Sequence, residues 1–294
     1  MLSLSECIPW MPVGLAVSVA IVTLNLCTII VFITNRDLRK RSTYLVINLA
    51  VIDMFVGGVA VYALFYRVGL FCNLWEWYLT EYGESIFTLV LLELFPIGSL
   101  TNITSIALER VHATFFPFRH RVLKKWVYGL TIAVVWVTSG LVSVSSTLFF
   151  FAKEIWYDIY TRYTHISICI LIICVSYASI VIKVRCGAKP QHHGAASRER
   201  KLTMTLLIVT VVSLLLCLPG VLLTFVISIR KPETVWSVPI HLIYALMFLF
   251  YANSLVNPIL YAIRMPEFRS AFLALFRRRA QKQRQVVVLP LRNM

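Results

Sequence analysis

The sequence predicts an all-α fold, a seven-transmembrane helix bundle followed by a short amphipathic helix on the cytoplasmic side. Three observations predict it: an apolar composition, long apolar stretches and a one-sided distribution of positive charge. Of the 294 residues, 59% are hydrophobic and 14% are charged, and the mean hydropathy is +0.81. Water-soluble domains are much more polar than this. The chain is therefore expected to lie in a membrane.

Seven apolar stretches are each long enough to cross a bilayer. A helix needs roughly 20 apolar residues to span a hydrocarbon core of about 30 Å. The predicted spans are residues 12–34, 43–66, 85–110, 126–148, 165–184, 202–229 and 236–263. They take up most of the chain, so no separate soluble domain is expected.

The positive charges indicate how the chain is oriented. Most of the 28 Lys and Arg residues fall in the segments after the first, third and fifth spans and in the C-terminal tail. The positive-inside rule places these segments in the cytoplasm and the N-terminus outside. The charge clusters therefore follow the membrane topology, and the net charge of +15 requires no nucleic-acid partner.

This topology divides the chain into four parts. Residues 1–11 form a short extracellular N-terminus, residues 12–263 the transmembrane domain, residues 264–276 a membrane-surface helix and residues 277–294 a basic cytoplasmic tail. The surface helix is predicted because apolar side chains recur at helical spacing beside several arginines. That pattern is typical of helices on anionic membranes, so membrane lipid is an expected partner.

Two of the seven cysteines, Cys7 and Cys72, fall on the outer side of the predicted bundle. In that oxidising location they are the plausible disulfide partners. Whether they pair stays open, because the sequence does not show that their Cα atoms come within bonding distance.

Asp53 lies in the second span, where an ionisable group costs on the order of 3 kcal/mol and asks for a partner or a function. One interpretation is a protonated carboxyl group bonded to a neighbour. The other is a continuous polar network, because further polar residues fall at comparable depth in other spans. These residues are Asn25, Ser99, Asn253 and Asn257. Such a network can hold a cation or a few water molecules.

At the cytoplasmic end of the third span an acid, Glu109, precedes a base, Arg110. The pair is either a solvated surface pair that contributes little or one half of a contact between helices. Glu199, at the start of the sixth span, is placed where its carboxylate could reach the Arg110 guanidinium. A pair that forms and breaks there would give the bundle two states.

Prolines and tyrosines in the later spans suggest moving parts. Pro219 and Pro258 remove backbone hydrogen bonds in the sixth and seventh spans and should bend these helices. Tyr177 and Tyr261 could point hydroxyl groups toward the cytoplasmic core, although membrane tyrosines more often pack or anchor at the interface.

These residues, taken in order, closely resemble the motifs of the rhodopsin-like G-protein-coupled receptors. The resemblance runs from Asn25 to Phe276 and supplies one motif in each span. The matching residues are Asn25, Leu49, Ala50, Asp53, Glu109, Arg110, Val111, His112, Trp136, Tyr177, Cys217, Leu218, Pro219, Asn257, Pro258, Tyr261 and Phe268. Seven matches in the right order do not arise by chance.

The resemblance implies a plasma-membrane receptor that transmits binding of an extracellular ligand to a heterotrimeric G protein and is not an enzyme. Arg110 would hold the inactive state by pairing with Glu109 and Glu199, and would then swing toward the G protein. Agonist binding would shift a population already in equilibrium.

The resemblance implies no cofactor, apart from an allosteric sodium ion that Asp53 could bind. The residues of this pocket would be Asp53, Ser99, Asn253 and Asn257. Tyr177 and Tyr261 would be the tyrosines that approach one another in the active state.

The outer half of the bundle departs from the family. Position 85, where the family has a cysteine, is Ser85, and its cysteine partner is missing from residues 149–163. Cys169 stands in place of the proline of the fifth span. These losses resemble the branch that holds the melanocortin, cannabinoid and lysophospholipid receptors. Cys217 and Ser213 replace aromatic residues of the sixth span, so the aromatic toggle of the family is absent or rebuilt.

The ligand stays open among lipid, peptide and small molecule. Leu92 stands where amine receptors carry an aspartate, and Tyr251 where opsins carry the retinal lysine. The neighbouring Glu93 could counter a cationic ligand group or be bonded to a neighbouring helix. The default pocket lies between the outer halves of spans three, five, six and seven. Its candidate lining is Leu92, Glu93, Pro96, Cys217, Val221, Thr224, Met247 and Tyr251.

Two other functions stay in view. A receptor-like partner that forms heterodimers without signalling is suggested by Cys217 in place of the family's tryptophan. A transporter is suggested by Asp53, Glu93 and the broken spans, but the inverted repeats typical of transporters are not found in the sequence. The G-protein subtype, the basal activity and the oligomeric state are not determined by the sequence.

Overall fold

A computed structural model describes residues 10–35, 38, 43–71, 85–186, 195–229 and 240–275. All regular secondary structure in these segments is helical. The helices are α1 Trp10–Thr34, α2 Thr43–Phe71, α3 Ser85–Phe115, α4 Pro117–Val122, α5 Lys125–Phe151, α6 Ile155–Cys186, α7 Ala195–Ile229 and α8 Ile240–Arg264. Residues 266–275 form a further helix, α9. The all-α prediction is thus confirmed for the described residues.

Within the described segments, six helices are long and apolar enough to cross a membrane: α1, α2, α3, α5, α6 and α7. Their outward faces carry exposed large apolar side chains, as on the α5 residues Leu130, Val137 and Leu141. Such a face is expected to contact lipid, because a hydrocarbon solvent favours apolar side chains on the outside of a bundle.

The long helices of the described segments pack against one another, and α3 contacts several of them. Helix α1 packs against α2 and α8, α5 against α6, and α7 against α8. Helix α3 contacts α2, α5, α6 and α7. A residue on α3 can therefore meet side chains from most of the bundle, which suits α3 to carry residues of a site.

Two close contacts fix α2 in the bundle. A Cβ atom built on Gly57 would lie 2.9 Å from Cγ2 of Ile21, so only a glycine lets α1 approach this closely. On the other side, Trp136 Nε1 donates to Asn48 Oδ1 at 3.1 Å, and Asn48 Nδ2 donates to Asn102 Oδ1 at 2.9 Å. These side-chain bonds join α2, α3 and α5.

Helix α6 begins ten residues, nearly three helical turns, before the predicted start at residue 165, since its first residue is Ile155. The connection from α5 is only residues 152–154, and it ends in a tight turn. Lys153 has φ 61°, Lys153 N bonds to Phe150 O, and Glu154 N bonds to Phe149 O, the pattern of a Schellman cap. The early start places Asp158 and Arg162, which precede the predicted fifth span, on a helix of the bundle.

Helix α9 packs through Phe268 against α1 and α8. Phe268 is fully buried, and its ring lies 5.2 Å from that of Phe32 and 6.0 Å from that of Tyr261. Phe272, one turn further on, stacks on Phe268 at 5.9 Å. Arg269 lies on the exposed face. The spacing of these residues explains why a helix forms here and which side of it contacts α1 and α8.

Candidate functional site

Asp53 is the centre of a polar cluster in the middle of the bundle. Its side chain is fully buried on α2 and accepts three hydrogen bonds. Ser99 Oγ on α3 donates at 3.1 Å, Ser254 Oγ on α8 at 2.9 Å and Asn257 Nδ2 on α8 at 2.7 Å. Three donors compensate for the removal of this carboxylate from water.

Asn25 extends the cluster to α1. Its Nδ2 donates to the backbone oxygens of Ile21 and Ser254, each at 3.0 Å. Asn253 is buried nearby in sequence, but it makes no hydrogen bond to Asp53; the neighbouring Ser254 does so instead. Among the described residues, the buried Oδ1 atoms of Asn25, Asn253 and Asn257 have no hydrogen-bond partner. Unpaired buried carbonyl oxygens are suited to accept from water or to bind a cation.

Arg110 is fully buried near the C-terminal end of α3, the end predicted to face the cytoplasm, and is held by Glu109. Arg110 Nε donates to Glu109 Oε2 at 2.5 Å, and Arg110 Nη2 donates to Glu109 Oε1 at 2.5 Å. This bidentate geometry is the strong form of an arginine–carboxylate contact. The Glu109 side chain is itself only 10% exposed. The pair is therefore not the solvated surface pair that one interpretation of the sequence allowed.

Two residues that the sequence did not indicate complete this cluster. His120, on the short helix α4, places Nε2 2.6 Å from Glu109 Oε1. Tyr128, on α5, places its hydroxyl 3.2 Å from His120 Nε2 and 3.5 Å from Glu109 Oε1. One carboxylate thus gathers side chains from α3, α4 and α5. The sequence signal is weak, because nothing in the spacing of residues 109, 120 and 128 shows that the chain turns back between them.

The other predicted switch residues are in separate places. Tyr177 on α6 hydrogen-bonds to Thr210 Oγ1 on α7 at 3.0 Å. The Tyr261 hydroxyl is buried and, within the described segments, has no hydrogen-bond partner. Pro219 and Pro258 lie inside α7 and α8. The side chain of Glu199 lies outside the described residues, so its pairing with Arg110 stays a prediction.

In the outer half of the bundle, Glu93 is bonded to a neighbouring helix. Arg162 Nη1 on α6 lies 3.2 Å from Glu93 Oε1. Arg162 Nη2 also donates to both carboxylate oxygens of Asp158 at 2.6 Å. Ser146 Oγ on α5 donates to Asp158 Oδ1. This Glu93–Arg162–Asp158–Ser146 group, which we call the outer ion-pair cluster, joins α3, α5 and α6.

The remaining predicted pocket residues are only partly brought together. Leu92 and Pro96 lie half-buried on α3, and Cys217 and Val221 half-buried on α7. Tyr251 on α8 packs against the buried side chains of Ile52, Val56, Phe95 and Val135. The side chains of Thr224 and Met247 lie outside the described residues, as do Cys7 and Cys72. Their roles, and that of the pocket, stay predictions.

The geometry matches a known family. The chain matches the family described as 7 transmembrane receptor (rhodopsin family) over residues 24–261. It therefore belongs to that family, and it is a rhodopsin-like G-protein-coupled receptor. The prediction of this class from the ordered motifs is confirmed.

Similar proteins belong to the same class. The histamine H2 receptor of Canis lupus familiaris is 26% identical over 93% of this chain and 82% of its own length. The melatonin receptor type 1B of Homo sapiens is 26% identical, and that of Rattus norvegicus is 28% identical; each comparison covers 90% of this chain and 78% of the relative. These identities leave the ligand unassigned, and the predicted branch of the family stays a prediction.

Proposed function

We propose that this receptor transmits binding of an extracellular ligand to a heterotrimeric G protein through release of Arg110 from Glu109. The observation that supports the proposal is the complete burial of the Arg110 guanidinium against a carboxylate on its own helix. In that position the guanidinium is not available to a protein partner at the cytoplasmic surface. Activation would require Arg110 to leave Glu109, and no enzymatic activity is part of the proposal.

The helices around Arg110 support a movement of α7. Tyr177 and Thr210 form a side-chain hydrogen bond between α6 and α7, which is a contact that can break at modest cost. Pro219 lies in the same helix and removes one backbone hydrogen bond there. An outward movement of the cytoplasmic end of α7 would open a cleft beside Arg110. By family resemblance, Glu199 would be a second partner that this movement removes.

The topology proposed for the receptor has α8 as the seventh span and α9 on the inner leaflet of the plasma membrane. The distribution of Lys and Arg supports a cytoplasmic C-terminus and an extracellular N-terminus. The buried Phe268 and the exposed Arg269 support a surface position for α9, with basic side chains toward anionic lipid.

Asp53 and its neighbours are proposed to hold an allosteric sodium ion. The residues fit such an ion, because the carboxylate and the hydroxyls of Ser99 and Ser254 are oxygen donors from three helices. The unpartnered Oδ1 atoms of Asn253 and Asn257 are further oxygens without a competing bond in the described segments. Oxygen ligands are what hard cations take. A bound cation would favour the packing in which α2, α3 and α8 are close.

The ligand is proposed to bind in the outer half of the bundle, with Glu93 as the polar contact. One carboxylate oxygen of Glu93 pairs with Arg162, while the other, Oε2, is buried and has no hydrogen-bond partner among the described residues. A cationic or hydrogen-bond-donating group on the ligand would satisfy that oxygen. The relatives are named as receptors for histamine and melatonin. Both are small molecules, which supports a small molecule among the three ligand classes that the sequence left open.

Nucleotide exchange on purified G proteins tests the proposal. The receptor in lipid nanodiscs is presented with a panel of small molecules, peptides and lipids, and exchange is compared with that of the Arg110→Ala variant. We expect at least one ligand to accelerate exchange by the wild type but not by Arg110→Ala, since the guanidinium would no longer be there to meet the G protein. If no G protein responds to the wild type with or without ligand, the signalling proposal fails and a non-signalling heterodimer partner becomes the better account.

A further inference from the structure

His120 shares one carboxylate oxygen with Arg110. Glu109 Oε1 lies 2.5 Å from Arg110 Nη2 and 2.6 Å from His120 Nε2. The Tyr128 hydroxyl lies 3.5 Å from the same oxygen. The His120 side chain is 15% exposed, so this contact is largely shielded from solvent. Three donors from three helices therefore compete for one acceptor.

The chemistry of the carboxylate fixes where the imidazole proton lies. An ionised carboxylate only accepts hydrogen bonds, so Nε2 of His120 must carry a proton at this distance. The same holds for the neutral ring and for the imidazolium ion, which differ only at Nδ1. His120 therefore donates a hydrogen bond to Glu109 in both charge states. The imidazolium form also places a positive charge beside the carboxylate.

Release of Arg110 would leave Glu109 as a largely buried carboxylate without its countercharge, which is strongly unfavourable. His120 and Tyr128 are already within reach of its Oε1 atom. His120 is the one that can also supply a positive charge. It lies on α4, a short helix after α3, and so need not follow Arg110 when that side chain moves.

We propose that His120 takes over the Glu109 carboxylate when Arg110 leaves it, and so makes the release of Arg110 less costly. The proposal rests on the switch proposed above. In the closed arrangement His120 shares its acceptor with a guanidinium and, when protonated, is repelled by it. After release neither effect remains, so the His120–Glu109 contact is stronger in the open arrangement. A contact that is stronger in one state shifts the population toward that state.

Thermal unfolding of purified receptor variants tests the exchange of partners without any G protein. His120→Phe is combined with wild-type Arg110, with Arg110→Ala and with Glu109→Gln, and His112→Phe is the matched control. We expect His120→Phe to lower the Tm by about 3 °C more in the Arg110→Ala background than in the wild type, the size of a strengthened charge-assisted hydrogen bond. The effect should shrink in the Glu109→Gln background, and His112→Phe should show no such dependence. An equal or smaller loss in the Arg110→Ala background would overturn the proposal.

Ligand-free nucleotide exchange tests the consequence for switching. We expect His120→Phe to lower ligand-free exchange by the receptor about fivefold, because the Glu109 carboxylate would lose its second donor when Arg110 leaves. Higher exchange by His120→Phe would show instead that His120 holds the closed state, and would overturn the proposal. If the wild type drives no exchange at all, the signalling proposal has failed, and the unfolding comparison still decides the role of His120.

Discussion

Asp53 shows how a single buried carboxylate can report the arrangement of several helices. Its three hydrogen-bond donors come from α3 and α8, while Asp53 itself lies on α2. The cluster forms only when all three helices are in register. A sodium ion bound there would stabilise the same arrangement, because anything that binds one state selectively stabilises it.

Sodium should therefore raise the thermal stability of the receptor through Asp53. We expect the Tm of the wild type to rise by about 3 °C when sodium reaches roughly ten times its Kd, in place of N-methyl-D-glucamine at constant ionic strength. Asp53→Asn should abolish this rise, since the cluster would lose its charge. Differential scanning fluorimetry of purified protein is the measurement.

Asp158→Asn is the matched control, because Asp158 is another buried carboxylate that lies in the outer ion-pair cluster, away from Asp53. This variant should keep the sodium-dependent rise even if its baseline Tm is lower. A wild type that does not respond to sodium, or an Asp53→Asn variant that still does, would show that the cluster is structural and holds no ion.

At the scale of helices, the outer ion-pair cluster joins elements that the family usually ties with a disulfide. Glu93 on α3, Ser146 on α5 and the α6 residues Asp158 and Arg162 meet in one group. Neither cysteine of that disulfide is present here, because position 85 is a serine and residues 149–163 contain no cysteine. The ion pairs give a noncovalent connection between α3 and α6 in the same half of the bundle.

Removing Arg162 should loosen this connection. Arg162→Met leaves Glu93 and Asp158 without their shared cation. Truncating one partner costs about 3–5 kcal/mol when a pair is fully buried and under about 1 kcal/mol when it is exposed. Since the Arg162 side chain is 30% exposed, we expect a loss near 2 kcal/mol and a fall in Tm of about 6 °C.

Lys153→Met removes a comparable charge from the exposed turn between α5 and α6 and serves as the control for Arg162→Met. The Tm of Glu93→Gln should lie between those of Arg162→Met and Lys153→Met, because Arg162 keeps its bonds to Asp158. Equal melting temperatures for Arg162→Met and Lys153→Met would mean that the cluster adds nothing to stability.

The contact between α1 and α2 depends on one of two adjacent glycines. A Cβ atom at Gly57 would meet Ile21 and Val22 at 2.9–3.0 Å, whereas one at Gly58 would meet nothing within 4 Å. Gly57→Val should therefore force α1 away and cost about 1–3 kcal/mol by overpacking. Gly58→Val, which adds the same side chain one position away, should be tolerated.

Melting curves of the two valine variants show whether the loss of stability in Gly57→Val comes from the helix contact or from helix propensity. A lower Tm for Gly57→Val alone is the expected result. Similar losses in both variants would assign the effect to the β-branched side chain in a helix rather than to the contact.

For the whole molecule, the sequence was sufficient to predict the helical fold and the class of protein. Apolar stretches predicted the six helices that could cross a membrane, and the ordered motifs predicted the family. These features are local, because a span or a motif is complete within a short length of chain. Helix α6 begins ten residues before the predicted start of the fifth span, and the partners of Arg162 on α3 and of Asp158 on α5 are contacts that no local sequence pattern shows.

The candidate sites were less predictable because their contacts join distant parts of the chain. Ser254 rather than Asn253 reaches Asp53, a choice that depends on the rotation of α8. The spacing of Ser254 and Asn257, three residues apart on one helical face, could have indicated it. His120 and Tyr128 could not be found this way, since their contact with Glu109 depends on the turn around α4. Side chains outside the described residues, Glu199 among them, leave part of the switch as a prediction.

Both halves of the bundle meet on α3. This helix carries Glu93 in the half predicted to face outward, Ser99 beside Asp53, and the Glu109–Arg110 pair at the end predicted to face the cytoplasm. A ligand that changes the outer contacts of α3 would therefore act on a helix that also holds the cytoplasmic pair. Coupling of this kind requires that the bundle have two arrangements and that ligand and G protein both bind the same one more tightly.

Ligand-free nucleotide exchange by the Glu109→Gln variant tests most directly whether the Glu109–Arg110 pair is the switch. Wild type, Glu109→Gln and Arg110→Ala are compared at equal amounts of folded receptor on the same purified G protein. The account predicts exchange about tenfold above wild type for Glu109→Gln, because the charge-assisted contact that holds Arg110 is lost, and none above the receptor-free rate for Arg110→Ala. Exchange by Glu109→Gln at or below the wild-type rate would contradict it.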